Sequence, residues 1–279
     1  MLRTAPVRIL GERHREAVYA LLDADPVGNV FVASRLSTTG ISGGGGAEVW
    51  GHVERGRLTA LCYSGANLVP VNAGPAAIRS FADHARWRGR RCSSIVGPVE
   101  AVGDFWEQIE PAWGPARAIR ASQPVLEIDG PPAVPADPLV RRVRISELDA
   151  LVPACVAMFT EEVGVPPDSG DGGALYRARV EELVRTGRAF ARIEDGRVVF
   201  KAEIGAVTPQ VCQIQGVWVH PDLRGRGHST AGMAAVVSYA LAEFAPRVTL
   251  YVNDFNTAAR ATYRRVGFRQ VGEVMSVLF

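Results

Sequence analysis

Val217-Trp218-Val219-His220-Pro221-Asp222-Leu223-Arg224-Gly225-Arg226-Gly227-His228-Ser229-Thr230-Ala231 reads as a strand, a loop and the start of a helix. Val217 and Val219 alternate around Trp218 as in a half-buried strand, and Pro221, with no N–H to give, ends the ladder. Gly225 and Gly227 let the backbone turn tightly. From Met233 the run Ala234-Ala235-Val236-Val237-Ser238-Tyr239-Ala240-Leu241 is strongly helical. Arg224 to Thr230 therefore sit at a helix N-terminus, where unpaired amides and the positive end of the dipole favour an anion such as a diphosphate.

Downstream, Thr249-Leu250-Tyr251-Val252 forms a second short strand, followed by Asn256-Thr257-Ala258-Ala259 and Tyr263-Arg264-Arg265-Val266-Gly267-Phe268. Together with Arg224-Gly225-Arg226-Gly227-His228-Ser229, these segments resemble the GCN5-related N-acetyltransferase (GNAT) superfamily. Its cofactor loop has the form Arg/Gln-x-x-Gly-x-Gly/Ala, and its next helix carries Asn-x-x-Ala and Tyr-x-x-x-Gly-Phe. Ser229 departs from the pattern, standing where glycine or alanine is usual. The two motifs in the right order make the resemblance specific from about residue 140 onward.

The first half of the chain is tied to the second by a repeat. Val49 to Tyr63 reads as a β-hairpin turning at Arg55-Gly56, and Ala189 to Glu203 as another turning at Asp195-Gly196. Gly56 and Gly196, like Trp50 and Phe190, stand 140 positions apart. An amphipathic helix precedes each hairpin, Arg13 to Leu22 in one case and Glu147 to Phe159 in the other, so the chain reads as a tandem duplication. The expected fold class is α/β (α+β), two tandem GNAT-like domains, each a mixed, mostly antiparallel sheet flanked by helices. The expected bounds are 1–130 and 140–279, with a stiff linker at 131–139 carrying Pro131, Pro132, Pro135 and Pro138. In the first copy the loop equivalent, Val69 to Ser80, has neither the arginine nor the paired glycines, and its last helix lacks the second motif. That copy reads as degenerate and non-catalytic. Gly43 to Gly46 precede a strand rather than a helix and read as a flexible loop, not a nucleotide site.

Composition narrows the function classes. Net charge is +2, the basic residues are spread without a block, and Lys201 is the sole lysine, so neither nucleic acid nor a membrane surface is an expected partner. Cys62, Cys92, Cys155 and Cys212 are scattered, which supports reduced buried thiols rather than disulfides or a zinc site. No metal is expected. The first residues lack the apolar run of a signal peptide and no stretch approaches a membrane span, so the expected location is cytoplasmic. Composition is compatible with a homodimer.

The resemblance implies an N-acetyltransferase with acetyl-CoA as co-substrate and a small-molecule or peptide amine as acceptor, attacking directly in a ternary complex. It implies that the backbone of Val217, Trp218 and Val219 holds the pantetheine arm, that Arg224, Gly225, Arg226, Gly227, His228, Ser229 and Thr230 hold the diphosphate, and that Asn256 orients the arm or caps its helix. Tyr263 matches the tyrosine that protonates the departing thiolate, at an ordinary pKa near 10. Relatives often place glutamate where Gln213 and Gln215 stand, and glutamine accepts no proton. Glu203 on the preceding strand is the candidate base, directly or through a water held by Gln213, with a surface salt bridge as the structural reading. His220 and His228 flank the loop. Thr160 to Gly173 is a polar loop whose Glu161, Glu162, Asp168 and Asp171 suit a cationic acceptor or simply solubility. The competing class is a non-catalytic acyl-CoA-binding or interaction protein.

Overall fold

The computed structural model describes residues 7–42, 46–167 and 172–279. Gly43 to Gly45 of the glycine run, and Asp168 and Asp171 of the acidic loop, lie outside the described residues. In chain order the first half comprises β1 (Arg8–Ile9), α1 (Arg15–Leu22), α2 (Val30–Thr39), β2 (Glu48–Glu54), β3 (Arg57–Ser64), β4 (Asn67–Val71), α3 (Pro75–Arg88), β5 (Ser94–Pro98), α4 (Val99–Trp113) and β6 (Ala118–Ile128). The second comprises β7 (Arg141–Arg142), α5 (Leu148–Val163), α6 (Ala174–Arg185), β8 (Ala189–Glu194), β9 (Arg197–Val207), β10 (Cys212–Val219), α7 (His228–Glu243), β11 (Val248–Tyr251), α8 (Thr257–Val266) and β12 (Arg269–Leu278).

The duplication extends to the backbone. Both hairpins turn through two residues of positive φ, Arg55 at 48° and Gly56 at 81°, Asp195 at 48° and Gly196 at 74°. This is the two-residue turn whose twist matches that of the flanking strands. Each hairpin carries one register irregularity, between His52 and Val53 in β2–β3 and between Arg192 and Ile193 in β8–β9, at positions that obey the same offset as the turns. Each copy also contains a short parallel ladder. β4 meets β5 through Asn67–Ser94 and Leu68–Ile95, and β10 meets β11 through Cys212–Val248 and Gln213–Thr249.

Two compact units result, and they are interleaved in sequence rather than sequential. The first takes Met1–Val125, Tyr251–Phe255 and Gln270–Phe279; the second takes Leu126–Leu250 and Asn256–Arg269. In the first unit β12 pairs antiparallel with β5, from Val274 opposite Pro98 to Leu278 opposite Ser94, and buries Val277 in the core around Phe81, Phe105 and Trp106. A second core gathers Leu22, Leu36, Leu61 and Val71 between α1, α2 and β2–β4. The linear bounds expected from the sequence do not contain this exchange of β12.

The second unit is built on antiparallel pairs β7–β8, β8–β9 and β9–β10, with β11 beside β10. Leu148, Leu151 and Cys155 of α5 and Val180 and Val184 of α6 pack with Ala189, Ala191 and Val198 into one core. Helix α7 is buried continuously from Gly232 to Val237, and Gly232 lets it approach β9 so closely that an added Cβ would stand 2.7 Å from the Phe200 ring. The proline-rich segment is not a free linker. Ala133 N–H donates to Val266 C=O at 2.8 Å and Asp137 N–H to Ala231 C=O at 3.0 Å, while the buried Asp137 carboxylate pairs with Arg192 at 3.0 Å. Prolines report stiffness, not whether the stiff segment is docked.

Candidate active site

Strand β10 is organised around a bulge. Gln215 lies opposite Glu203 and Trp218 opposite Lys201, so Gly216 and Val217 together face Ala202. Gly216 takes φ +61°, a conformation that favours glycine. Pairing with β11 covers Cys212 and Gln213, leaving Ile214–Val219 without that neighbour. His220 N–H donates to Val199 C=O on β9 at 3.0 Å, so by strand alternation Val217 and Val219 turn their backbone groups to the open side. The Arg224 Nε hydrogen bond to Val219 C=O at 3.1 Å fits that orientation.

Beyond β10, Pro221–Leu223 makes a short 3-10 turn, and Gly225 and Gly227 adopt φ of 76° and 84°. No atom lies within 4 Å of a Cβ built on either, so the backbone conformation, not space, requires glycine there. Gly227 is the N-cap of α7 and has no side chain to satisfy the first-turn amides, while Thr230 and Ala231 return to its carbonyl at 3.0 and 3.2 Å. The amides of His228 and Ser229 thus point out of a helix end, a ready anion seat. Arg224 faces elsewhere. Its Nη2 alone donates to both Glu161 oxygens, at 2.7 and 3.0 Å, and the Trp218 indole N–H donates to the same carboxylate at 3.2 Å.

Against the bulge lies a buried polar cluster. Lys201 is fully buried and ion-paired with Glu203, itself buried. Glu203 also accepts from Gln215 at 3.4 Å and from the Cys155 thiol at 3.5 Å, and the Tyr176 hydroxyl donates to Cys155 C=O at 3.0 Å. A Cβ on Gly216 would come within 3.2 Å of both Glu203 and Lys201 Nζ, so the pair packs directly on the bulged backbone. Burial opposes ionisation of Glu203, yet the Lys201 charge and the surrounding hydrogen bonds hold its carboxyl below its ordinary value. Burial alone would lower Lys201, and the Glu203 charge outweighs it and holds the ammonium above its ordinary value. Burial pushes the Cys155 thiol up to about 11, so it stays protonated. The surface salt bridge expected at Glu203 is a buried pair, and the glutamine touching it is Gln215 rather than Gln213.

Helix α8 explains its own motif. The Asn256 side chain is the N-cap, accepting from Ala259 N–H at 3.1 Å. Gly267 takes φ +114°, ending the helix, and Phe268 N–H then turns back to Tyr263 C=O at 3.0 Å with the two rings 5.9 Å apart edge to face. Asn256 and Arg260 are exposed and Tyr263 is buried, so the three do not share one environment. Burial, with the charge of Glu162 adding to it, raises the Tyr263 hydroxyl above its ordinary value, and the phenol is a protonated donor throughout the working range. The value near 10 expected from the sequence is corrected accordingly. α7 and α8 meet at Ser229, whose hydroxyl bonds Thr262 Oγ1 at 3.4 Å. This gives the serine at the departing position of the loop motif a packing partner on the helix that carries Tyr263.

Residues 160–268 match the acetyltransferase (GNAT) family, and residues 47–151 match a family described as a domain of unknown function, DUF4081. The match to the GNAT family thus falls within the C-terminal half, which carries the loop and helix described above. Members of the family use acetyl-CoA. Solved structures share the tandem fold over the whole chain. A GNAT-family acetyltransferase from Colwellia psychrerythraea is 12% identical with a TM-score of 0.59, covering 99% of this chain and 100% of that one. A tandem GNAT protein from the clavulanic acid biosynthesis pathway is 16% identical with a TM-score of 0.56 and 98% coverage of both chains. A GCN5-related N-acetyltransferase from Sphaerobacter thermophilus is 16% identical with a TM-score of 0.63, covering 97% and 93%.

The counterpart of the GNAT loop in the N-terminal copy is chemically different. α3 opens with Pro75 after the Gly74 cap, which removes one first-turn amide, and Asn72, Gly74, Pro98, Glu100 and Asp104 line a cleft there. Two carboxylates at that place repel a diphosphate. Among the described residues of either copy, no group of three His, Cys, Asp or Glu side chains is placed to hold a metal, and no helix is long and apolar enough to cross a membrane. Reading of the sequence missed Lys201 and Cys155 as parts of the buried polar cluster at the bulge, and it placed Glu161 with the acceptor rather than against Arg224 and Trp218. The spacing Lys201-x-Glu203 on one strand face was the available signal for the pair.

Proposed function

We propose that the C-terminal half transfers an acetyl group from acetyl-CoA to a primary amine of a small molecule or peptide, by direct attack in a ternary complex. The observation that carries the reading is the coincidence of three features: the bulged edge of β10 that β11 leaves uncovered from Ile214 to Val219, the uncapped helix start at Gly227–Ser229, and the buried Tyr263 on α8. Val217, Trp218 and Val219 would take the pantetheine arm. Arg224 to Thr230 would take the diphosphate, with the Arg224 side chain leaving Glu161 to do so, and Asn256 would keep α8 capped beside it. Acetyl-CoA carries the thioester and supplies the acyl group. Tyr263 donates a hydrogen bond, and in the course of thiolate departure its proton, to sulfur.

Glu203 is assigned as proton acceptor, weakened by Lys201. A weak base suits a weakly basic acceptor, because deprotonating an α-amine of pKa about 7.8 at pH 7 costs about 1 kcal/mol against roughly 4–5 for a lysine-like amine. A non-catalytic acyl-CoA-binding role is the second reading, favoured by the hold of Lys201 on Glu203. Steady-state kinetics with an amine panel, together with calorimetric acetyl-CoA titration, separate the two. Tyr263→Phe is expected to lower kcat by about 10²-fold or more with acetyl-CoA affinity within about twofold of wild type. Binding of acetyl-CoA without turnover of any amine by the wild type would favour the second reading, and loss of binding in Gly227→Trp alone would confirm the loop assignment under either.

A further inference from the structure

The N-terminal unit holds a cavity of about 400 Å³ that neither the acetyl-transfer chemistry nor the family match explains. It lies where β3 ends and β4 begins, lined by residues of α2, β2 and the α3–β5 connection, at the opposite end of β4 from Asn72–Pro75, the counterpart of the phosphate loop. Its wall is aromatic: Phe31, Trp50, Tyr63 and Trp113 all line it. Tyr63 and Phe31 meet edge to face at 6.1 Å.

The charges on this wall are unequal. Arg88 is ion-paired with Glu48, which also accepts from the Trp50 indole N–H at 3.0 Å, so that carboxylate is fully used. Arg35 lies over the Phe31 ring at 5.4 Å, and among the described residues neither Arg35 nor Arg91 has a carboxylate beside it. Two guanidinium groups therefore stand without a carboxylate partner on a wall that mixes aromatic and polar groups.

We propose that this cavity binds a small aromatic monocarboxylate, its ring among Phe31, Tyr63, Trp50 and Trp113 and its carboxylate toward Arg35 and Arg91. Arg matches a carboxylate fork geometrically, and the volume lies within the range of small-molecule sites. A compact dianion fits less well, because Glu48 is part of the wall and the aromatic rings cannot replace its hydration.

The test uses the full chain, titrated with phenylacetate, 4-hydroxybenzoate and indole-3-acetate, with their primary amides and with inorganic phosphate, followed by tryptophan fluorescence and calorimetry at about 150 mM salt. At least one carboxylate is expected to bind with Kd below about 1 mM and at least about tenfold tighter than its amide. Arg35→Ala and Arg91→Ala, both surface changes that leave the core intact, are each expected to weaken it roughly 5- to 20-fold. Absence of binding by every carboxylate overturns the proposal, as does equal binding of the amides, phosphate binding as tightly as the carboxylates, or arginine variants that bind like wild type.

Discussion

Lys201 and Glu203 show how much two residues set at this site. Removing the carboxylate leaves a buried ammonium uncompensated, which costs about 3–5 kcal/mol. The sign of the pH dependence follows from the directions of the two shifts. Glu203 sits below its ordinary 4.5, so its contribution is present above that value and fades as pH falls through the lower folded one. Lys201 sits above its ordinary 10.5, so its contribution is complete below that value and fades as pH rises through the higher folded one. Thermal melts of wild type and Glu203→Gln from pH 3 to 10 should show the variant lower by about 10 °C near pH 7 and flatter below pH 4.5; coincident curves would mean the pair is not ionised. At this scale the sequence was partly legible. Gly225, Gly227 and Tyr263 announce themselves through a motif, whereas the raised hydroxyl of Tyr263 and the capture of Arg224 by Glu161 depend on burial and on a carboxylate sixty-three positions away.

Among the elements, the hairpins were the most legible, because a two-residue turn and period-two alternation are local signals that recur with one offset. β1 and β7 were not, since two residues carry no alternation to read. The start of β6 is exposed along Ala118–Ala121 and lacks an apolar pattern, which hid its length. Helix α7 reads clearly as a helix, yet its closeness to β9 is a tertiary fact. Gly232 makes it testable: Gly232→Ala gains about 1 kcal/mol in helix propensity but forces a Cβ against the buried Phe200 ring, an overpacking cost of about 1–3 kcal/mol. The expected net result is a melting temperature lower by about 2–4 °C, and an increase would show that the ring moves aside freely.

At the scale of the molecule, two copies were legible and their partition was not. Reading of the sequence stopped at Phe268, and no local pattern could say that β12 pairs with β5, about 180 positions earlier in the chain. Deleting residues 270–279 should therefore lower amide protection in β5 and around Phe105 and Trp106 while β9 and β10 keep theirs, as read by hydrogen exchange; loss confined to the GNAT half would contradict the division. The same exchange bears on synthesis. Domains commonly fold in the order in which they leave the ribosome. Here the half translated first waits for β12, which emerges after the other described strands, while the second unit is completed at Arg269, just before it. The nascent chain thus completes its halves in reverse order, and the exposed edge of β5 is the surface a chaperone would meet in the interval.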